Sequence, residues 1–284
     1  MAMVPTKVSL IAGVLLTAAL SCSPRGGEFS WQALPIDGHR TGVSAPLANN
    51  VGEALGTFDG SVYVAPNGSR FRSGSTPAVA ARMIEVQPSM AALKEVVAYS
   101  EKEMTKFRPE SELSNFAVDV LMAQTEKITG RKVDVGLLNF GGIRVNMPKG
   151  PVILDDIVSM FPFKNYVTYL TLPGSELRRV FEQMARGKVE VIGGARLRIR
   201  DGKLVSVTVG GRPLSDSKTY GVATIDFLLD GGDNLKLARG CKDMLITEVK
   251  LVDAILPYIR EVTARGDTLR SSLDGRVIIE EEGK

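Results

Sequence analysis

Apolar residues recur along this chain with two different periods, and the places where the period changes divide it into elements. Leu113, Phe116, Ala117, Val120 and Leu121 fall at i, i+3, i+4, i+7 and i+8, which puts them on one face of an amphipathic helix ending around Gly130. Val79, Met83 and Ile84, and then Met90, Leu93, Val96 and Val97 beyond Pro88, keep a helix-like interval and predict two helices separated near that proline. Val133 to Leu138 reads instead as a buried strand, broken at Asn139-Phe140-Gly141-Gly142, where glycines permit a tight turn with exposed backbone N–H groups. Asp155 is the expected cap of a short helix running through Phe161. Tyr166 to Leu172 alternates as a strand up to Pro173-Gly174, and the helix after it, with Ser175 as its expected cap, carries Leu177, Val180, Phe181 and Met184 on one face.

Further along, Arg196 to Arg200 and Leu204 to Val209 flank Asp201-Gly202-Lys203 as a hairpin, and Gly210-Gly211 makes the next turn. Tyr220 to Thr224 and Met244 to Val249 are predicted strands on either side of the loop Asp230-Gly231-Gly232-Asp233. Val252, Ile255, Leu256 and Ile259 mark the buried face of a last helix despite Pro257. Helices interleaved with local and non-local strands predict an α+β domain, a mixed β-sheet flanked by helices.

The first stretch follows neither period. Lys7 precedes the 13 apolar-rich residues Val8 to Leu20, which as a helix span roughly 20 Å against the ~30 Å of a bilayer interior. That is the core of a signal peptide and too short for a membrane span. Ala19-Leu20-Ser21-Cys22-Ser23 resembles a bacterial lipoprotein processing site, so residues 1–21 are expected to be removed and Cys22 to receive the lipid. Ordinary cleavage at Ala18 or Ala19 is the alternative. Either way the protein is expected to be exported, and the lipidated form to be periplasmic or held at the outer membrane or cell surface. Residues 23 to about 77 are rich in Gly, Pro, Ser and Asn, and residues 22–88 are expected to form a linker and an extension with a hairpin across Pro66-Asn67-Gly68. Residues 89–281 are expected to form the principal domain.

Composition narrows the chemistry. The formal charge, 35 − 32 = +3, gives no electrostatic case for nucleic acid or for an anionic membrane, so membrane contact is expected through the N-terminal lipid only. Two cysteines, Cys22 and Cys241, exclude a disulfide framework and a thiolate zinc site, and the one histidine, His39, excludes the usual dinuclear hydrolytic metal site. No metal or other cofactor is therefore expected in this chain. Phosphate-loop, Gly-x-Ser-x-Gly and His-Glu-x-x-His motifs are all missing from the sequence.

Four stretches remain as candidates for a site: Arg108 to Asn115, Asn139 to Arg144, Phe161 to Asn165 and Asp226 to Asp233. Asn139, the bare backbone of Gly141 and Gly142, and the Arg144 guanidinium fall within one turn, a set suited to a polar or anionic ligand and equally to a structural turn with a solvated arginine. Phe163, between a proline and two polar residues, and Phe227, before the Gly-Gly loop, are either core rings or the two faces of a stacking site for a base, worth ~1–3 kcal/mol per contact. Asp230 and Asp233 suit sugar hydroxyls or a turn.

In order and spacing these stretches resemble the C-terminal domain of the 5'-nucleotidase and UDP-sugar hydrolase family. Asn139-Phe140-Gly141-Gly142-Ile143-Arg144 is similar to its Asn-x-Gly-Gly-Ile-Arg turn, and Phe161-Pro162-Phe163 to its Leu-Pro-Phe signature. Asp226 to Asp233 resembles its Asn-Phe-Leu-x-x-Gly-Gly-Asp loop, and Glu110 to Asn115 its Glu-Ser-x-Leu-Gly-Asn helix opening, with Asp226 and Ser114 as departures. The resemblance implies that Phe163 and Phe227 stack on a base and that Asp233 binds ribose hydroxyls. It further implies that Asn139 and Arg144 contact substrate near the phosphate, with Gly141 and Gly142 in the same turn. Arg108 stands near another family arginine, a position out of register, and joins the implied substrate contacts. The family's metallophosphatase motifs, Asp-x-His and Gly-Asn-His, do not occur here. The resemblance thus implies a nucleotide- or nucleoside-binding unit for nucleotide catabolism, with a divalent metal carried by a separate metallophosphatase partner. The alternative is an exported nucleotide-binding or structural lipoprotein without catalysis.

Overall fold

The computed structural model describes residues 40–47 and 49–280, so the signal segment, Cys22 and His39 lie outside the described residues. In chain order the elements are α1 (Val51–Leu55), β1 (Thr57–Phe58), β2 (Tyr63–Val64), β3 (Arg70–Phe71), α2 (Ser75–Val86), β4 (Val96–Ser100), α3 (Glu112–Thr129) and β5 (Val135–Leu138). Then come β6 (Gly150–Ile153), α4 (Leu154–Met160), β7 (Tyr166–Pro173), α5 (Gly174–Arg186), β8 (Val191–Gly193), β9 (Ala195–Arg200) and β10 (Lys203–Val209). The chain continues through β11 (Arg212–Pro213), β12 (Thr219–Ile225), β13 (Asp243–Lys250), α6 (Leu251–Ala264) and β14 (Val277–Glu280).

Strands β1, β2 and β3 form a small antiparallel meander. Its second turn is closed by Ala65 N donating to Ser69 O (2.9 Å) and Gly68 N to Ala65 O (2.9 Å), a three-residue loop over Pro66-Asn67-Gly68. The buried Tyr63 donates its hydroxyl to Leu55 O (2.6 Å) and so fastens α1 to the meander.

Beyond α2 the structure departs from the helical reading. Gln87–Lys94 is a 3-10 helix, and Val96 and Val97 belong to strand β4. The reason is non-local. β4 pairs antiparallel with β6, and β-branched valines fit an extended backbone once such a partner exists. Two helix starts also differ from expectation. In α4 the cap position is Ile153, whose N–H donates to Asp156 Oδ2 (2.9 Å), while Asp155 sits inside the first turn. α5 begins at Gly174, and its first N–H groups donate to Lys218 O (2.8 Å) and Asp216 O (3.3 Å) of a neighbouring turn, which takes the place of a Ser175 cap.

α3 is the long amphipathic helix. Ser111 Oγ accepts from Ser114 N (3.1 Å) while Ser114 Oγ accepts from Ser111 N (2.9 Å), a reciprocal cap in which serine fills the place usual for Glu or Gln. The helix lies against β5, β8 and α6.

The five-stranded sheet runs β13-β7-β12-β5-β8, and the four-stranded sheet β11-β10-β9-β14. In the first, β12 and β5 are parallel and the other pairs antiparallel; in the second, β9 and β14 are parallel. α5 packs on both β7 and β10 and so joins the two sheets. Leu137, Leu170, Val222 and Phe181 are fully buried in one continuous core, each stabilising the fold by about 1.5–3 kcal/mol. The fold is α+β, a mixed sheet flanked by helices. Its functional consequence is one of direction. Because β5 and β12 run parallel and β7 runs antiparallel to β12, the ends of β5 and β12 and the beginning of β7 meet at one edge of the sheet.

Candidate functional site

Three loops converge at that edge. Asn139 leaves β5 and enters a 3-10 turn over Phe140–Gly142, Phe161-Pro162-Phe163 leads into β7, and β12 ends in a 3-10 turn over Asp226–Leu228. Asp226 Oδ1 accepts from both Tyr166 N (2.9 Å) and Phe227 N (2.9 Å), which ties the loop before β7 to the loop after β12. Between the loops lies a cleft of about 190 Å³ lined by Asn139, Gly141, Phe163, Asn165, Phe227 and Asp233. Phe163 is 48% and Phe227 46% exposed. A phenyl ring held half in solvent forgoes burial worth a kcal/mol or more, so two of them on one cleft are a feature that core packing does not account for.

The polar side of the cleft is built from Asn139 and Asp233. The buried Asn139 donates through Nδ2 to Asp233 Oδ2 at 2.5 Å, and its Oδ1 is enclosed and unpartnered. A Cβ on Gly142 would lie 2.6 Å from that Oδ1, so glycine is what lets the turn fold over the amide. Asp233 itself has φ +46° and Asn234 φ +63°, a left-handed pair that L-residues adopt at a cost and that recurs at functional loops. Gly232 lies under the Phe227 ring, where a Cβ would come within 2.1 Å of Phe227 O and 2.7 Å of a ring carbon.

From Phe140 to Arg144, every backbone N–H but that of Gly141, which lines the cleft, donates within the protein. Phe140 N donates to Glu190 Oε2 (2.7 Å), Gly142 N to Asn139 O (3.1 Å), Ile143 N to Phe140 O (3.3 Å) and Arg144 N to Met160 O (2.9 Å). These N–H groups are satisfied within the protein. Arg144 is exposed at the rim, its guanidinium carbon 5.9 Å from the Phe163 ring centroid and its Nη1 3.4 Å from Gly141 O.

Arg108 is placed elsewhere. Its Nη2 pairs with Glu190 Oε1 (2.7 Å), its Nη1 donates to Val189 O, and its guanidinium carbon stands 4.5 Å from the Phe140 ring centroid. It backs the 139–142 turn and is not part of the cleft lining. Glu190, only 3% exposed, is a residue that reading the sequence missed. Its signal was a glutamate between Val189 and Val191 in an otherwise apolar stretch. The stretch Glu110–Asn115 also lies apart from the lining. Glu110 accepts from Asn115 Nδ2 (2.8 Å), Asp274 N (2.9 Å) and Arg276 N (2.7 Å), fastening the C-terminal segment to the start of α3. Among the described residues no group of three His, Cys, Asp or Glu side chains is placed to hold a metal ion.

Comparison with known proteins supplies the context for this geometry. Residues 91–239 match the family model described as "5'-nucleotidase, C-terminal domain". The chain is 33% identical over 127 residues to protein UshA of Yersinia enterocolitica, a stretch covering 43% of this chain and 22% of that protein. In structure it is similar to a 5'-nucleotidase precursor from Thermus thermophilus, with a TM-score of 0.65 at 23% identity, covering 78% of this chain and 46% of that one. It is similar too to the NAD nucleotidase of Haemophilus influenzae, with a TM-score of 0.55 at 17% identity over 78% of this chain and 48% of that one. At such identities the structural likeness concerns the fold alone. The chain spans about a fifth of the length of the curated relatives it matches, 22% for the Yersinia protein.

Proposed function

Because this chain belongs to the 5'-nucleotidase C-terminal domain family, we propose that its cleft binds a nucleotide or nucleoside, with the base stacked between Phe163 and Phe227 and the ribose hydroxyls accepted by Asp233. The observation that carries this reading is the pair of half-exposed rings, brought from separate loops to one cleft beside a carboxylate. Stacking of a base on each ring contributes ~1–3 kcal/mol and tolerates any base. Asn139 holds Asp233 in place, Gly141 and Gly142 shape the turn, and Arg144 stands at the rim where a phosphate would leave the cleft.

Cleavage of a phosphate ester calls for metal-activated water and neutralisation of the transferring group. The described residues offer no cluster for that role, which favours assigning bond breaking to a separate metallophosphatase with this chain supplying substrate recognition in nucleotide catabolism. The signal-like run before Cys22 favours an exported protein, anchored by lipid on Cys22 in the periplasm, outer membrane or cell surface. In this reading residues 89–281 carry recognition and residues 22–88 supply a linker and a folded N-terminal extension.

Calorimetric titration of the full chain with adenosine and AMP, paired with a phosphate-release assay with and without added divalent metal, tests both parts. Binding without metal-dependent hydrolysis is expected. Robust hydrolysis by the isolated chain would overturn the division of labour, and failure to bind either ligand would overturn the assignment of the cleft.

A further inference from the structure

Strand β13 is an outer edge of the five-stranded sheet and is hydrogen-bonded to β7 on one side only. Three consecutive residues on it, Met244, Leu245 and Ile246, are all exposed. Side chains alternate across a strand, so Met244 and Ile246 leave apolar surface on one face of the sheet and Leu245 leaves it on the other. Edge strands are ordinarily guarded by charges, prolines or bulges, because an open apolar edge pairs with other strands. On β13 the irregularity comes only after Ile246, while Asp243 to Ile246 keep step with Thr171 to Thr168 of β7. Apolar surface on both faces, beside a backbone edge without a partner strand, suits another strand that continues the sheet. A helix or a flat membrane surface would cover one face and leave the backbone edge unpaired.

The sequence of β13 is complementary to itself. A two-fold axis perpendicular to the sheet brings two β13 strands together antiparallel and opposes residues that share a face. With Leu245 on the axis, it meets its own counterpart and Met244 meets the second copy's Ile246, while the flanking Lys242 comes level with the second copy's Glu248. Apolar groups then face apolar groups and opposite charges face each other. The adjacent registers do worse. Centring on Met244 sets Lys242 against Ile246 and Asp243 against Leu245, and centring on Ile246 sets Lys242 against Lys250 and Met244 against Glu248. Asp243 is already paired with Arg131 of its own chain, and with Leu245 centred it faces the neutral Thr247.

We infer that two copies of this chain join edge to edge through β13, Leu245 opposite Leu245, in one continuous sheet with five strands from each copy. The cleft lies where β7 begins and β13 ends, Lys250 standing opposite Tyr166. Antiparallel pairing therefore turns the two clefts toward opposite edges of the joined sheet and leaves both open.

Sedimentation of the full chain over a concentration series tests the pairing, in detergent so that an N-terminal lipid does not itself cause association. A dimer is expected in the parent, and its loss in Leu245→Lys, which puts two like charges on the axis, with the circular dichroism spectrum retained. Opposed residues of an antiparallel pair have Cα atoms about 4.5–5.5 Å apart, within reach of a disulfide. Leu245→Cys is therefore expected to cross-link on mild oxidation. Glu248→Cys, roughly 20 Å from its counterpart in this register, is expected to cross-link no more than the parent with its own Cys22 and Cys241. A chain that stays monomeric at every concentration would overturn the inference, as would a dimer that survives Leu245→Lys or a Leu245→Cys variant that cross-links no more than the parent. The nucleotide reading is tested separately, by titration of the cleft.

Discussion

Asn139 and Asp233, 94 residues apart in the chain, are joined by a 2.5 Å hydrogen bond from the Asn139 amide to the Asp233 carboxylate. That contact fixes the turn after β5 to the loop after β12 and sets the polar wall of the cleft. Asn139→Ala removes the donor and frees the Asp233 loop, and since hydrogen bonds to charged groups are worth about 1.5–3 kcal/mol, adenosine affinity is expected to fall roughly 10- to 150-fold. Asn139→Asp is expected to be no better, because two carboxylates would then face each other; titration of both variants checks this.

Phe163→Ala and Phe227→Ala are expected to weaken adenosine binding by about 1–3 kcal/mol each. Their melting temperatures should stay close to that of the parent, because both rings are already half exposed. A large loss of stability with unchanged binding would mean that the rings serve packing instead.

Gly232→Ala places a methyl 2.1 Å from Phe227 O and 2.7 Å from its ring. The ring has to move, and adenosine binding is expected to fall as far as in Phe227→Ala while the circular dichroism spectrum is retained.

Much of this was legible in the residues. The faces of α3 and α5, the strands β5, β7 and β12, and the Asp201-Gly202 hairpin all follow from local periodicity and turn chemistry, because their patterns are complete within a few residues. Among the strands that escaped, β4, β6, β8 and β14 are short and their partners lie far along the chain, as when Val96 pairs with Ile153 and Val277 with Leu197, while β1 and β11 are two-residue strands too short to show a period. No window contains both halves of such a pair. The cleft's lining residues came from motif order, but Arg108 and Glu190 show the limit of that route. The family resemblance implied a ligand contact for Arg108, whereas in the structure its guanidinium pairs with the buried Glu190.

Glu190→Ala tests that pairing. Removing the buried carboxylate leaves Phe140 N without its acceptor and Arg108 without its ion pair, and unfolding is expected to become easier by about 1–3 kcal/mol. Adenosine affinity should fall along with it, since the turn carrying Asn139 loses its backing. Urea denaturation and titration of the same variant read the two effects.

Acid should destabilise the fold through Glu110. Burial pushes its carboxyl up, but the Asn115 amide and the N–H groups of Asp274, Arg276 and Val277 outweigh that and hold it below the ordinary value of 4.5. With the folded pKa lower than the unfolded one, the stabilisation is complete above about 4.5 and is lost as pH falls through the folded value. Glu110→Gln is expected to flatten this acid limb in urea midpoints measured across that range.

Crystals of the chain grown with adenosine would decide the central point, that two half-exposed rings from separate loops form one base-binding slot. Electron density for the purine between Phe163 and Phe227, with the ribose hydroxyls toward Asp233, is the expected result. Purine density away from these rings, or against one ring with the other turned aside, would contradict it.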